Sequence, residues 1–127
     1  MHKLLVPLLL TLCATPALAD TDYNGSGKTD THTCSANEVL HILGSGNTLT
    51  IYGACGLVSV NGDKNVVTIN LASTLRVPGD DNTVHIAYVD AIHVGGTRDL
   101  VGWHGGITDK ESITVTVAHQ DSKVIRE

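Results

Sequence analysis

Val58-Ser59-Val60-Asn61-Gly62-Asp63-Lys64-Asn65-Val66-Val67-Thr68-Ile69 is the stretch that decides the fold. Apolar residues alternate on either side of a Gly-x-x-Asn turn signal, so it reads as strand, turn, strand. The pattern recurs. Residues 40–51 carry it with Gly44 and Asn47, and residues 75–86 with Gly79 and Asn82. Residues 92–103 carry a degenerate version with Gly96 and Asp99. The turn glycines lie 18, 17 and 17 residues apart; Asn47, Asn65 and Asn82 keep that spacing, and Asp99 continues it.

Period-2 alternation buries one strand face and wets the other. Equal spacing lets equivalent residues stack, rung on rung, about 4.8 Å apart. The expectation is therefore an all-β chain: a small β-solenoid with rungs of 17–18 residues and parallel stacking. The asparagines share parity with the inward Leu49, Val67 and Val84. Asn47, Asn65, Asn82 and Asp99 are thus expected as an internal ladder that satisfies turn backbone groups. A smaller inward position is expected at Ala54, Ala72 and Val89. The alternative fold is a two-sheet β-sandwich, which requires hairpin pairing within each repeat instead of parallel pairing between repeats.

Composition fits a narrow coil. Among 127 residues there are three Tyr, one Trp and no Phe, while Thr, Val and Ile together supply 37. Branched side chains suit a pleated, half-buried surface. The net charge of −5 offers no basic track for a phosphate backbone, so nucleic acid is not an expected partner. No apolar run after the N-terminus is long enough to span a bilayer.

Residues 1–19 read as a signal peptide: Lys3 is basic, residues 4–13 are apolar, and Ala17-Leu18-Ala19 precedes Asp20. Cleavage is expected between Ala19 and Asp20, with release to the periplasm or the exterior. Cys13 follows Leu12 where lipidation would want a small residue, which favours cleavage. Cys34 and Cys55 then remain in an oxidising compartment and are expected to form one disulfide. Closing that loop stabilises by roughly 3 kcal/mol in the chain-entropy view. Residues 20–33 are expected as a flexible polar segment, 34–118 as the solenoid and 119–127 as a frayed tail. Within this, 102–110 reads as a loop and 113–117 as a closing strand.

The leader, the two cysteines and the repeats G-S-G-N-T-L-T-I and G-D-D-N-T-V-H-I resemble the bacterial domain-of-unknown-function family 3060. The resemblance runs from about Cys34 to Val101. It implies a small exported protein with a repetitive β fold, and it carries over no catalytic residue.

Few residues suggest chemistry against this background. Gly25-Ser26-Gly27-Lys28-Thr29 ends like a phosphate-binding loop, but Asp22 stands where the first glycine belongs. It reads better as a decayed copy of the repeat turn. His32, His41, His85, His93, His104 and His119 show no metal-ligand spacing. His41 and His93 share an outward ladder with Ser59 and Arg76 between them, about 14 Å apart and too far for one ion. Ser59 beside His41 lacks an orienting carboxylate and an oxyanion hole. Asp63, Asp80 and Asp81 on the turns read as solvated acids rather than a calcium or lyase site. The Thr-x-Thr pairs at 48–50 and 114–116 make no continuous ice-binding array, because Val66, His85 and Leu100 interrupt it.

The expectation is a non-enzymatic structural or binding module without cofactor or metal. Its partner would be an extended polymer or another protein, on a flat face or at an edge strand. The alternatives are a polysaccharide-active or carbohydrate-binding β-helix and a weak metal binder through surface histidines.

Overall fold

The computed structural model describes residues 20–127. The expected signal peptide, residues 1–19 with its cleavage site after Ala19, lies outside the described residues. Nine strands follow in order: β1 (Asp20–Tyr23), β2 (Thr29–Thr33), β3 (Glu38–Ile42), β4 (Thr48–Val60), β5 (Val66–Val77), β6 (Thr83–Val94), β7 (Leu100–Gly105), β8 (Thr114–Val117) and β9 (Lys123–Arg126). Every pairing is parallel and joins one coil to the next. The chain is a β-solenoid of about five turns, and the sandwich alternative falls because no repeat pairs with itself.

Equivalent residues stack as the spacing requires. Leu49, Val67, Val84 and Val101 form one inward column, and Ile51, Ile69, Ile86 and Trp103 the next. Val58, Leu75 and Ile92 form a third. All are buried. A cross-section this narrow is filled by one branched side chain per position, which accounts for the scarcity of rings.

The small inward column differs from expectation by one residue. It is Cys55, Ala72 and Val89; Ala54 is exposed. The cause is a bulge: Ile51 pairs with Ile69, but Ala54 pairs with Leu71, so β4 holds one extra residue. Gly53 takes it up at φ 83°. A bulge re-aims the following side chains, and it also explains why the first glycine interval is 18 instead of 17.

Both ends are more ordered than the sequence suggested. Residues 20–33, expected as flexible, form β1 and β2 and pair with β3 and β4. Residues 119–127, expected to fray, include β9, which pairs with β7. Residues 102–105, expected in a loop, continue β7 against β6. The first coil is a polar cap. Asp30 and His32 hold the register positions that Leu49 and Ile51 hold one coil on. Such a cap blunts the first open edge of the stack. At the other end β8 does close against β6, although Val115 and Val117 stay exposed.

The turns impose the tightest fit. A Cβ placed on Gly62, Gly79 or Gly96 would lie 1.9, 2.0 or 1.8 Å from the carbonyl oxygen of the turn glycine one coil earlier. At Gly44 it would lie 1.6 Å from the Gly25 oxygen. These glycines are needed for close stacking, not for their backbone angle. The left-handed position is instead two residues later, at Gly46, Lys64, Asp81 and Arg98. Gly79→Ala should therefore lower stability by roughly 2 kcal/mol or more, as overpacking does. Lys64→Gly relieves a left-handed side chain and should not destabilise. Urea melts of both variants check this; an unchanged midpoint for Gly79→Ala would contradict the stacking argument.

Candidate functional site

Each turn brings two backbone groups into the buried interior, the carbonyl of its glycine and the N–H three residues on. The N–H groups belong to buried residues and the carbonyls are buried or half-buried, so each gains from a partner inside the protein. The next coil supplies both. Asn65 Oδ1 accepts from Asn47 N–H at 2.9 Å, and Asn65 Nδ2 donates to the Gly44 carbonyl at 3.1 Å. Asn82 does the same for Asn65 N–H and Gly62 O, at 2.9 Å in both cases. Asn47 clamps Lys28 N–H and Gly25 O. The segment 25–28 is thus a turn of the repeat type.

Ser122 was not anticipated. Its hydroxyl accepts from Asp99 N–H and donates to Gly96 O, both at 3.0 Å. It fills the asparagine's place in the last coil. The spacing hid it, since it follows Asp99 by 23 residues while the other members stand 17 or 18 apart. The excursion between β7 and β8 breaks the period. Asp90 pins that excursion by accepting from Ile107 and Thr108 N–H.

Asp99 is the discordant member. Its Oδ1 accepts from Asn82 N–H at 2.8 Å. Its Oδ2 is buried with no hydrogen-bond partner. By register the group opposite Oδ2 is the Gly79 carbonyl, an acceptor facing an acceptor. A Cβ built on Gly96 falls 1.8 Å from that carbonyl oxygen and 2.8 Å from Oδ2, so the two share one small space. Burial pushes the Asp99 carboxyl up to about 6, and the charges of Asp80 and Asp81 add to it. Hydrogen bonds from Asn82 oppose the shift.

A second ladder runs along the outside of the turns. Ser45 Oγ accepts from Asp63 N–H, Asp63 Oδ1 from Asp80 N–H, and Asp80 Oδ1 from Thr97 N–H, at 3.0, 2.8 and 2.8 Å. Asp81 pairs with Arg98 at 2.8 Å. The turn acids read as solvated are in fact committed to the turns. The 17-residue spacing of Asp63 and Asp80 was a signal for this.

At the N-terminal cap, Cys34 and Cys55 form the expected disulfide, with Cα atoms 5.3 Å apart. Beside it Glu38, 4% exposed, touches His32 Nε2 and accepts from Ser35 N–H at 2.9 Å. Burial raises its carboxyl, but hydrogen bonds from Ser35, His32 and Thr21 outweigh burial and hold it below the ordinary range.

The outer faces hold the remaining histidines. His41, Ser59, Arg76 and His93 stack in one outward column, so the two histidines stay apart. Asp22 extends that column, and Asp20 Oδ1 lies 3.2 Å from His41 Nε2. The structure thus supplies the carboxylate that the sequence reading of Ser59 and His41 lacked. It sits against His41, while no hydrogen bond joins His41 to Ser59. His85 pairs with Glu127 at 3.0 Å, and His104 meets Tyr88 edge to face. His119 is exposed. Depressions among the described residues are open surface troughs; one runs between Ser59, Arg76 and His93 on one side and Asn61, Pro78 and Gly95 on the other. Arg76 makes no ion pair among the described residues.

Residues 42–91 match the model of a family described as Protein of unknown function (DUF3060). No curated protein and no solved structure matches the chain.

A raised folded-state pKa favours the protonated, folded form. Asp99 therefore adds stability below its ordinary value of 3.8, and that stability is lost as pH rises through about 6. Asp99→Asn should remove this part of the pH dependence and raise the melting temperature at pH 7. Thermal melts across pH 4–7.5 check it; parallel curves for variant and wild type would contradict it.

Proposed function

Starting from the match of residues 42–91 to the domain-of-unknown-function family 3060, we propose that this chain is an exported, non-enzymatic module that holds an extended partner along one flat face. The observation that carries this reading is the trough beside the free Arg76. The ladder column gives it a straight wall with a repeat of about 4.8 Å, suited to a chain-like ligand lying along it. Arg76 offers a planar fork of donors for a carboxylate. His93 and Asn61 flank it in the trough. The ligand class that fits is an extended polymer or peptide that carries carboxylates, the group the Arg76 fork is shaped to hold.

Catalysis finds less support. Asp63 and Asp80 bind turn backbone and Asp81 binds Arg98, so none of the three is free to act as a lyase acid or base. General acid–base work needs carboxyl groups within reach of a seated substrate. The disulfide supports release into an oxidising compartment.

Calorimetry with an oligouronate and with an uncharged oligosaccharide of equal length tests the proposal. The expected result is binding of the oligouronate, weakened about tenfold or more by Arg76→Ala, with no new chain ends released. Chain cleavage, or binding indifferent to Arg76→Ala, would overturn it.

A further inference from the structure

The first coil gathers three potential metal ligands at one half-buried point, and the disulfide brings a fourth, Cys55, from the next coil. His32 Nε2, Cys34 Sγ and a Glu38 carboxylate oxygen all lie within 4.8 Å of one another. Cys55 Sγ is bonded to Cys34 Sγ, and Cys55 is the register partner of Glu38. Two thiolates, an imidazole and a carboxylate are a donor set that zinc takes readily. The disulfide closes the set in this structure by consuming both sulfurs.

Three features point to more than a covalent staple. Glu38 is 4% exposed and sits in the column that Cys55, Ala72 and Val89 fill with apolar side chains. A cap needing only a staple could bury an apolar residue there at less cost. His32 likewise holds an inward register position, that of Ile51. Finally, both side chains are pre-oriented: Glu38 Oε1 is fixed by Ser35 N–H and hydroxyl at 2.9 and 3.1 Å, while Oε2 faces His32. The other constellation, Asp20, Asp22 and His41, is more exposed and has no such fixed partners.

We propose that the reduced chain binds one zinc ion through Cys34, Cys55, His32 and Glu38, so that the cap is closed either by a disulfide or by a metal. A dithiol reductant gives two electrons to the Cys34–Cys55 bond and is itself oxidised to a disulfide. Two protonated thiols result, and zinc displaces both protons as the sulfurs become ligands. Zinc–sulfur bonds of about 2.3 Å in a tetrahedral site place the sulfurs about 3.7 Å apart. The Cα atoms of Cys34 and Cys55, 5.3 Å apart, leave room for that separation once the bond between the sulfurs is cut. The ion enters between His32 and Glu38 and replaces their contact. Before oxidation, the metal would hold the first coil against β4 and shield both thiols.

Titration of cobalt, then zinc, into the protein held reduced by a non-thiol phosphine tests this. The reduced protein should bind one equivalent, with thiolate-to-cobalt charge-transfer absorption and tetrahedral ligand-field bands. Oxidised protein should show neither. His32→Ala and Glu38→Gln should each weaken zinc by about tenfold or more, whereas Asp22→Asn should not. Far-ultraviolet circular dichroism should show the β fold in the zinc-bound reduced form. Absence of the charge-transfer band would overturn the proposal. So would zinc affinity indifferent to both His32→Ala and Glu38→Gln, the behaviour of an unfolded chain binding through thiols alone. Dependence on Asp22 in place of Glu38 would move the site to the exposed cluster and equally overturn it.

Discussion

Coils that stack about 4.8 Å apart bring the turns so close that a glycine carbonyl of one coil occupies the space a side chain would need on the next. That contact leaves the carbonyl and a nearby N–H wholly or partly shut off from water. An unpaired buried backbone group costs about as much as a lost hydrogen bond. The amide of asparagine can accept and donate at once, and at this position it does both, closing the turn of the preceding coil. Glycine and asparagine at fixed separation are therefore two halves of one device. The strands follow from it, since fixed turns set the register in which Val, Ile and Leu meet their counterparts.

The same device shows where the chain departs from regularity. Ser122 meets both demands with a single hydroxyl. Asp99 meets only one when ionised, and the result is a buried oxygen without a partner. A carboxylic acid is the shape of an amide and, when protonated, has its donor. The turn thus tolerates Asp99 as a neutral group better than as an anion, which couples the fourth coil to pH in a way that its neighbours are not.

The middle of the chain was legible because two independent periods coincide there: apolar alternation along strands and glycine-to-asparagine spacing between coils. Where one period failed, the sequence reading failed with it. Residues 20–33 keep the turn, Gly25 to Lys28, but lose the alternation, because a cap replaces inward apolar residues with Asp30 and His32. Residues 122–126 keep a strand but lose the spacing, because residues 106–113 intervene. The one-residue error at Ala54 came from a bulge whose only trace in the sequence is an extra Gly53. The outer ladder of Ser45, Asp63, Asp80 and Thr97 was visible as spacing, yet exposed acids on turns have an obvious alternative in water. The cap's His32 and Glu38 stand two residues before and four after Cys34 in the chain, so their nearness was open to reading; what the sequence hid is that both occupy inward positions.

Function follows the same division. The interior is committed to holding the stack, and the turn acids are spent on backbone or, for Asp81, on Arg98. What is left for a partner is the outward column around Arg76 and the polar first coil. The central claim, that side chains of one coil hold the turns of the previous one, is tested most directly by native-state hydrogen exchange. The backbone N–H groups of Asn47, Asn65 and Asn82 donate to side chains one coil on instead of to a strand carbonyl. They should exchange as slowly as the core amides of β5 and β6, through the same cooperative opening. Exchange at the rate of a solvent-exposed turn would contradict the account.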